Sequence, residues 1–351
     1  MIMLMTAGFL GLALSSCSKG DSEPEYQKPV EFSGYTARSV TKAGASFVTG
    51  AELPKDQPFG VYAYNTGTSE TFDPTPATIA TYGKFMTNVP VTYNGNGAGV
   101  PTNYTYVYRY WPNDEVNNKL AFFAYYPHGG AGISQTSDQA GFGDFNFTVQ
   151  SLPENQVDFM ISDVVPGKVY SNTNPTGVVP LSFYHMLTQV KFKGITDAPS
   201  GVKVKITSIK VVHVINKGTL APSYPSVTSS VWTPDNSSFG TYTLTPQDIE
   251  LPSTTVNASA EAVDLTDASQ ALLMVPQTID DDSYLEIVYT ITTTNPERTI
   301  TQTQTLTLNE ALDTWTRNQQ IVYTFNIGLH PIEFSAKVGN WIDDEYIIIV
   351  E

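Results

Sequence analysis

Apolar and polar residues alternate with a period of two along most of this chain, and no stretch beyond residue 17 sustains a helical period of 3.6. The pattern predicts a short extended segment at Val30–Tyr35 and a strand at Phe59–Tyr64. Thr66–Asn103 reads as a long loop-rich stretch with a turn signal at Asn94-Gly95-Asn96-Gly97. Tyr104–Trp111 alternates and stops at Pro112. Leu120–Tyr126 (LAFFAYY) is apolar throughout, as expected of a strand covered on both faces. His128–Gly143 reads as a glycine-rich loop, followed by short strands at Asp144–Gln150 and Asp158–Val165. Val178–Lys193 alternates around an irregular turn at His185–Leu187.

The second half is read in the same way. Val202–Ile206 and Ile209–Ile215 are expected as two strands, Pro222–Ser238 as a loop, and Ala271–Val275 as a buried strand. The plainest hairpin pairs Tyr284–Thr293 with Arg298–Leu308 across Asn295-Pro296-Glu297. Its first arm collects Leu285, Ile287, Tyr289 and Ile291 on one face. Its second collects Thr299, Thr301, Thr303, Thr305 and Thr307, a face suited to solvent or a sheet partner. Ile321–Leu329 alternates strictly, and Ile332–Trp341 and Tyr346–Val350 finish the chain. Strands joined by short turns, without helical crossovers, imply an all-β protein of antiparallel sandwiches. With 351 residues, two tandem units are expected, spanning 30–180 and 181–351.

Composition narrows the functional classes. Hydrophobic residues make up 41% and charged residues 15%, enough apolar matter for true cores. A formal net charge of −16 opposes binding to nucleic acid or to anionic membrane surfaces.

The N-terminus adds a compartment. Met1–Leu14 is apolar but shorter than the about 20 residues a spanning helix needs. It runs into Leu14-Ser15-Ser16-Cys17, and Cys17 is the only cysteine. The arrangement resembles a bacterial lipobox, which implies a lipoprotein signal over residues 1–17, cut before Cys17 so that a lipidated Cys17 becomes the new N-terminus. Its thiol would carry the thioether, and the lipid chains would hold the protein at the outer membrane. No Lys or Arg precedes the run, which leaves open a start upstream of Met1. Residues 18–29 read as a flexible leash. Its acids Asp21, Glu23 and Glu25 fit either a surface-export tag or a merely solvated linker.

Several segments in order resemble the fimbrillin-like (Mfa-like) proteins of Bacteroidota. They are Phe59–Tyr64, Tyr110-Trp111-Pro112, Leu120–Pro127, Leu181–Leu187, Leu272–Gln277, the terminal alternating strand and Trp341. The resemblance implies two sandwiches of transthyretin-like topology in a subunit of a type V pilus or fimbria, with other fimbrial subunits as partners. It also implies a trypsin-like cut after a basic residue near the N-terminus. Removal of the first strand would open a groove for a neighbouring subunit's strand. Arg38 and Lys42 are the candidate cut sites, with two ordinary solvated cations as the alternative. Val30 and Phe32 would lie on the released strand. Tyr346, Ile347, Ile348, Ile349 and Val350 are the candidate donor.

Residues bearing other chemistry are sparse. His128, His185, His213 and His330 show no metal-ligand spacing, and His185 reads as a core histidine. Asp280-Asp281-Asp282 reads as an acidic turn rather than a calcium loop. No nucleophile elbow, phosphate loop or Cys–His pair is present. No enzyme, metal or cofactor is therefore expected. A fimbrial subunit or tip adhesin at the cell surface is the first reading, with a host protein or glycan as a further partner. A surface glycan-binding lipoprotein, using Tyr104, Tyr106 and Tyr108 to stack on sugars, is the alternative.

Overall fold

A computed structural model describes residues 28–36, 53, 57–93, 99–101, 109–136, 143–173, 177–246, 248–266, 271–328 and 332–341, with backbone alone for 93 and 99–101. The strands of the first half are β1 Glu31–Thr36, β2 Phe59–Gly67, β3 Gly83–Tyr93, β4 Gly99–Pro101, β5 Lys119–Tyr126, β6 Ile133–Gln135, β7 Phe145–Thr148, β8 Met160–Ser162, β9 Val165–Lys168 and β10 Val178–His185. Then come β11 Thr188–Ile195, β12 Val202–Ile215, β13 Lys217–Ala221, β14 Val231–Pro234, β15 Phe239–Leu244, β16 Val263–Asp264, β17 Leu272–Met274 and β18 Gln277–Thr278. The last are β19 Tyr284–Thr294, β20 Glu297–Thr307, β21 Thr314–Trp315, β22 Gln319–Asn326 and β23 Glu333–Asn340. The described α-helix, Pro76–Ile79, is a single turn. The protein is all-β, as its alternation requires.

The first sheet runs β2-β3-β4-β1-β10-β8-β5, and β5 also pairs with β2, so the path closes into a ring flanked by β9. Closure removes the free edges that an open sheet would expose. Phe32, Val61, Leu120, Phe122, Ala124, Leu181 and Phe183 fill the inside. The other face of β5 puts Ala121, Phe123 and Tyr125 into a second, larger core. This is why LAFFAYY is apolar at every position: both faces are covered.

That larger core continues into the second half through Val190, Phe192, Leu285, Ile287, Tyr323 and Phe325. Four further sheets are described: the pair β18-β21, then β16-β11-β22-β23 with β17 also on β11, β15-β12-β19-β20 and β14-β13-β7-β6. The last joins residues 133–148 with 217–234, so it draws strands from both halves. Strand β10 crosses positions 180 and 181 without a break and ends at the irregular step before β11.

Several sequence expectations change: the loop expected at 128–143 contains β6, and the strand expected at 158–165 is divided into β8 and β9. The sheets are not purely antiparallel, because β1 with β10 and β11 with β22 are parallel. Both pairs are separated by over a hundred residues, so no tight turn constrains their direction. The loop-rich stretch contains the eleven-residue β3, whose alternation is broken by Asn88 at φ 47° and by Pro90. The strands expected at 202–206 and 209–215 are one, with its register shifting beside Thr207. Within the expected 222–238 loop lies β14, paired with β13.

Candidate assembly groove

Strand β1 is the seam of the ring. It lies parallel to β10, Glu31 opposite Val178 through Thr36 opposite Phe183. On its other side the pairing with β4 is confined to Phe32 opposite Gly99. Alternation then dictates which side chains point inward. Val30 and Phe32 are wholly buried, while Glu31 and Ser33 are partly exposed. The Phe32 ring packs edge-on against Phe122 at 5.6 Å and Phe59 at 6.3 Å. Phe59 in turn meets Phe183 at 5.6 Å. Two buried side chains of this size stabilise the seam by about 1.5–3 kcal/mol each.

The entry to β1 is fixed by backbone bonds. Trp111 donates its N–H to the Lys28 carbonyl at 2.9 Å, and Val30 donates to the Arg109 carbonyl at 3.0 Å. Trp111 also donates from Nε1 to the Gly177 carbonyl at 3.2 Å, while Glu31 donates its N–H to the same carbonyl. Lys28 caps the entry, its Nζ 4.2 Å from the centre of the Tyr170 ring. Further along, the Leu53 N–H bonds to the Gly34 carbonyl. Gly34 has no room for a side chain, since a Cβ there would overlap Leu53 and approach Phe183 to 3.3 Å. That close approach is the reason for glycine in mid-strand.

β10 turns the apolar side chains Val179, Leu181 and Phe183 into the ring beside β1, while Tyr184, one residue past the register with β1, packs against the larger core. On β10, Tyr184 has its phenol pushed up to about 12, first by burial and then by the Asp163 carboxylate beside it. What the site can do is mechanical: it presents backbone donors and acceptors along β10 and two apolar sockets to whatever extended segment occupies it.

The other sequence candidates are dispersed. Cys17, Arg38, Lys42, Tyr104, Tyr106, Tyr108, His330 and Tyr346–Val350 lie outside the described residues. Arg38 and Lys42 fall between the end of β1 and Leu53. His185 is buried, as read; its Nδ1 lies 2.8 Å from an Asp158 oxygen and its ring stacks on Trp341 at 4.0 Å. Asp280 accepts from the Ser283 hydroxyl and the Asp282 N–H, so the triple aspartate forms a turn. Among the described residues no group of three His, Cys, Asp or Glu side chains is placed to hold a metal. No described helix is long and apolar enough to cross a membrane. Sequence reading missed the Trp111–Gly177 clamp and the Leu53 contact. Gly34 inside an alternating strand was the one signal that could have flagged the close approach.

Similarity to known proteins agrees with this architecture. The profile of the family described as fimbrillin-like matches residues 45–341. No curated protein matches the sequence. Among solved structures, a fimbrial protein from Bacteroides vulgatus is 22% identical, with 89% of this chain and 99% of that one aligned at a TM-score of 0.60. A protein from Bacteroides ovatus proposed to act in cell adhesion is 15% identical, with 91% and 99% covered at 0.52. Another from Bacteroides uniformis is 18% identical, with 90% and 99% covered at 0.50. With a family match over residues 45–341, and an all-β fold shared over 89% of its length with a bacterial fimbrial protein, the chain belongs to the fimbrillin-like family.

Proposed function

We propose that this chain is a fimbrial subunit or tip adhesin, built into a surface fibre by exchange of its first strand. One observation carries the reading. Val30 and Phe32, at the start of β1, are completely buried, the strand lies parallel to β10 along its length while its described pairing with β4 is a single residue pair, and the segment holding Arg38 and Lys42 follows it in the sequence. A cut there would leave β1 held by non-covalent contacts alone. Its departure would expose the β10 edge and two apolar sockets, which demand a replacement strand. Tyr346–Val350 suits the task because it is apolar at every position, so either alternation supplies two plugs.

In this reading the precursor is carried to the outer membrane by lipid on Cys17, through the leash 18–29. The units 30–180 and 181–351 then form the body of the subunit. Family membership supports a structural rather than a catalytic role, and a place at the cell surface or in the fimbrium.

Limited trypsin digestion tests the exchange. Cleavage after Arg38 or Lys42, located by mass spectrometry, should leave the remainder resistant and allow polymers to form on sizing. Lys28 precedes Pro29 and is a poor trypsin site, so the released piece keeps β1 whole. Resistance of both bonds, with no association after deletion of residues 18–42, would reject it. For the anchor, Cys17→Ala should move the protein from the membrane to the soluble fraction, and unchanged partitioning would refute lipidation.

A further inference from the structure

We propose that the edge of β20, which no described strand covers, pairs antiparallel with β20 of a second copy, giving a lateral contact distinct from the β1 groove. The inference stands apart from strand exchange.

Sheet edges elsewhere in the described protein are short or blunted. The ring closes on itself, and β9 carries Pro166 and Gly167. Strands β6, β14 and β16 have three, four and two residues, and β14 ends in Pro234. β15 has six residues, and β23 carries Glu333 and Lys337. β20 differs from all of them. It has eleven residues, pairs with β19 through eleven positions without a register shift, and contains no Lys or Pro. It closes its sheet, so every second residue points its N–H and C=O away from β19. Such an edge is a template for another strand.

The occupant follows from chemistry and charge. A chain of net charge −16 repels its copies in general, but β20 itself carries one charge of each sign, Glu297 and Arg298, side by side at its turn end. Full antiparallel overlap, centred on Gln302, sets Thr299 against Thr305, Thr301 against Thr303 and Gln302 against itself. Threonine pairs of this kind favour cross-strand association. Ile300, exposed at 40%, would be covered by Gln304 of the second copy. The same overlap sets Arg298 against Leu306 and Glu297 against Thr307, so each copy brings one charge of each sign to the far end of the other. At that end lies the acidic turn Asp280–Asp282, tied to it through Asn309 and Asp281 at 2.7 Å. The match is therefore of an edge with itself. One strand pair buries little area, so each contact is weak by itself and is best read by covalent trapping.

Register-specific cross-linking tests it, using the full chain with Cys17→Ser in mild detergent. Opposed residues in an antiparallel pair lie within disulfide reach, so Gln302→Cys should give a disulfide-linked dimer on mild oxidation. Thr305→Cys should not, because its counterpart lies about 20 Å along the partner strand. Adding Thr301→Lys and Thr303→Lys opposes lysines on both sides of the axis and should cut the Gln302→Cys dimer roughly tenfold or more. All four positions are exposed or half-exposed, and an unchanged melting temperature verifies each variant's fold. Absence of the Gln302→Cys dimer, equal cross-linking at 302 and 305, or indifference to the lysine pair would each overturn the proposal.

Discussion

β1 and β20 are both strands at the margin of a sheet's connectivity, and they solve opposite problems. β1 has six residues and buries Phe32 completely, with Val30 equally buried just before it. β20 has eleven residues, and only Leu306 among them is buried. A short strand can thus hold far more folding free energy than a long one, because apolar area removed from water counts and strand length does not. β20 is kept in place by its backbone ladder to β19 and by polar contacts such as Thr292 with Thr299 at 2.8 Å.

Substitution should expose this contrast most strongly at Phe32. Phe32→Ala removes a ring that touches Phe59 and Phe122 and leaves a cavity inside a closed ring, at a cost of about 3–5 kcal/mol. Ile300→Ala on β20 should stay within about 0.5 kcal/mol. Urea unfolding of the two variants would decide the matter. Similar losses at both positions would mean that β1 does not hold the core as described.

Ser162→Ala probes the ring a step further. Ser162 is fully buried; its hydroxyl accepts the Ala124 N–H at 2.8 Å and donates to the Asp163 carbonyl at 3.0 Å. Its removal deprives a buried N–H on β5 of that acceptor, a loss of about 1–3 kcal/mol. Thr303→Ala, on the exposed face of β20, should again be near neutral. Gly34→Ala should fall between these limits, at about 1 kcal/mol, because the added methyl group must displace the flexible end of Leu53. A gain in melting temperature for Gly34→Ala would show that the packing there is loose.

How far the sequence revealed these regions depends on the range of the interactions that make them. The hairpin of β19 and β20 was legible, because alternation and a two-residue turn are local. So was β5, whose unbroken apolar run required cover on both faces. β3 was hidden because Gly83, Asn88 and Pro90 interrupt its pattern and its pairing with β2 shifts register. Ring closure and the parallel match of β1 to β10 join residues far apart in the chain, and no local pattern encodes them. The family resemblance put Val30 and Phe32 on a first strand, but their burial inside the ring is seen only in the structure. Trp111 and Gly177, which clamp that strand, were not legible, since a Trp before Pro112 says nothing about which carbonyl its indole will reach.

The smallest expected effect separates the two regions by pH. His128 follows β5 at the mouth of the ring, with its N–H bonded to the Pro58 carbonyl and its ring 6.0 Å from that of Tyr125. Burial lowers its pKa below the ordinary 6.5, against a smaller opposing influence of a backbone hydrogen bond at Asn88. The fold therefore favours the neutral ring, and the unfolded chain takes up the proton first as pH falls. Stability from this group is intact above 6.5, declines as pH drops from there toward the folded pKa, and levels off below it. The β19–β20 hairpin contains no histidine, so its local opening should not follow this titration. Melting temperatures at pH 7.5 and 5.5 should therefore fall less for His128→Gln than for the parent. Hydrogen exchange should place the parent's extra loss in β2 and β5 rather than in β20. An identical pH slope in parent and variant would assign the acid sensitivity to another group and remove His128 from the ring's account.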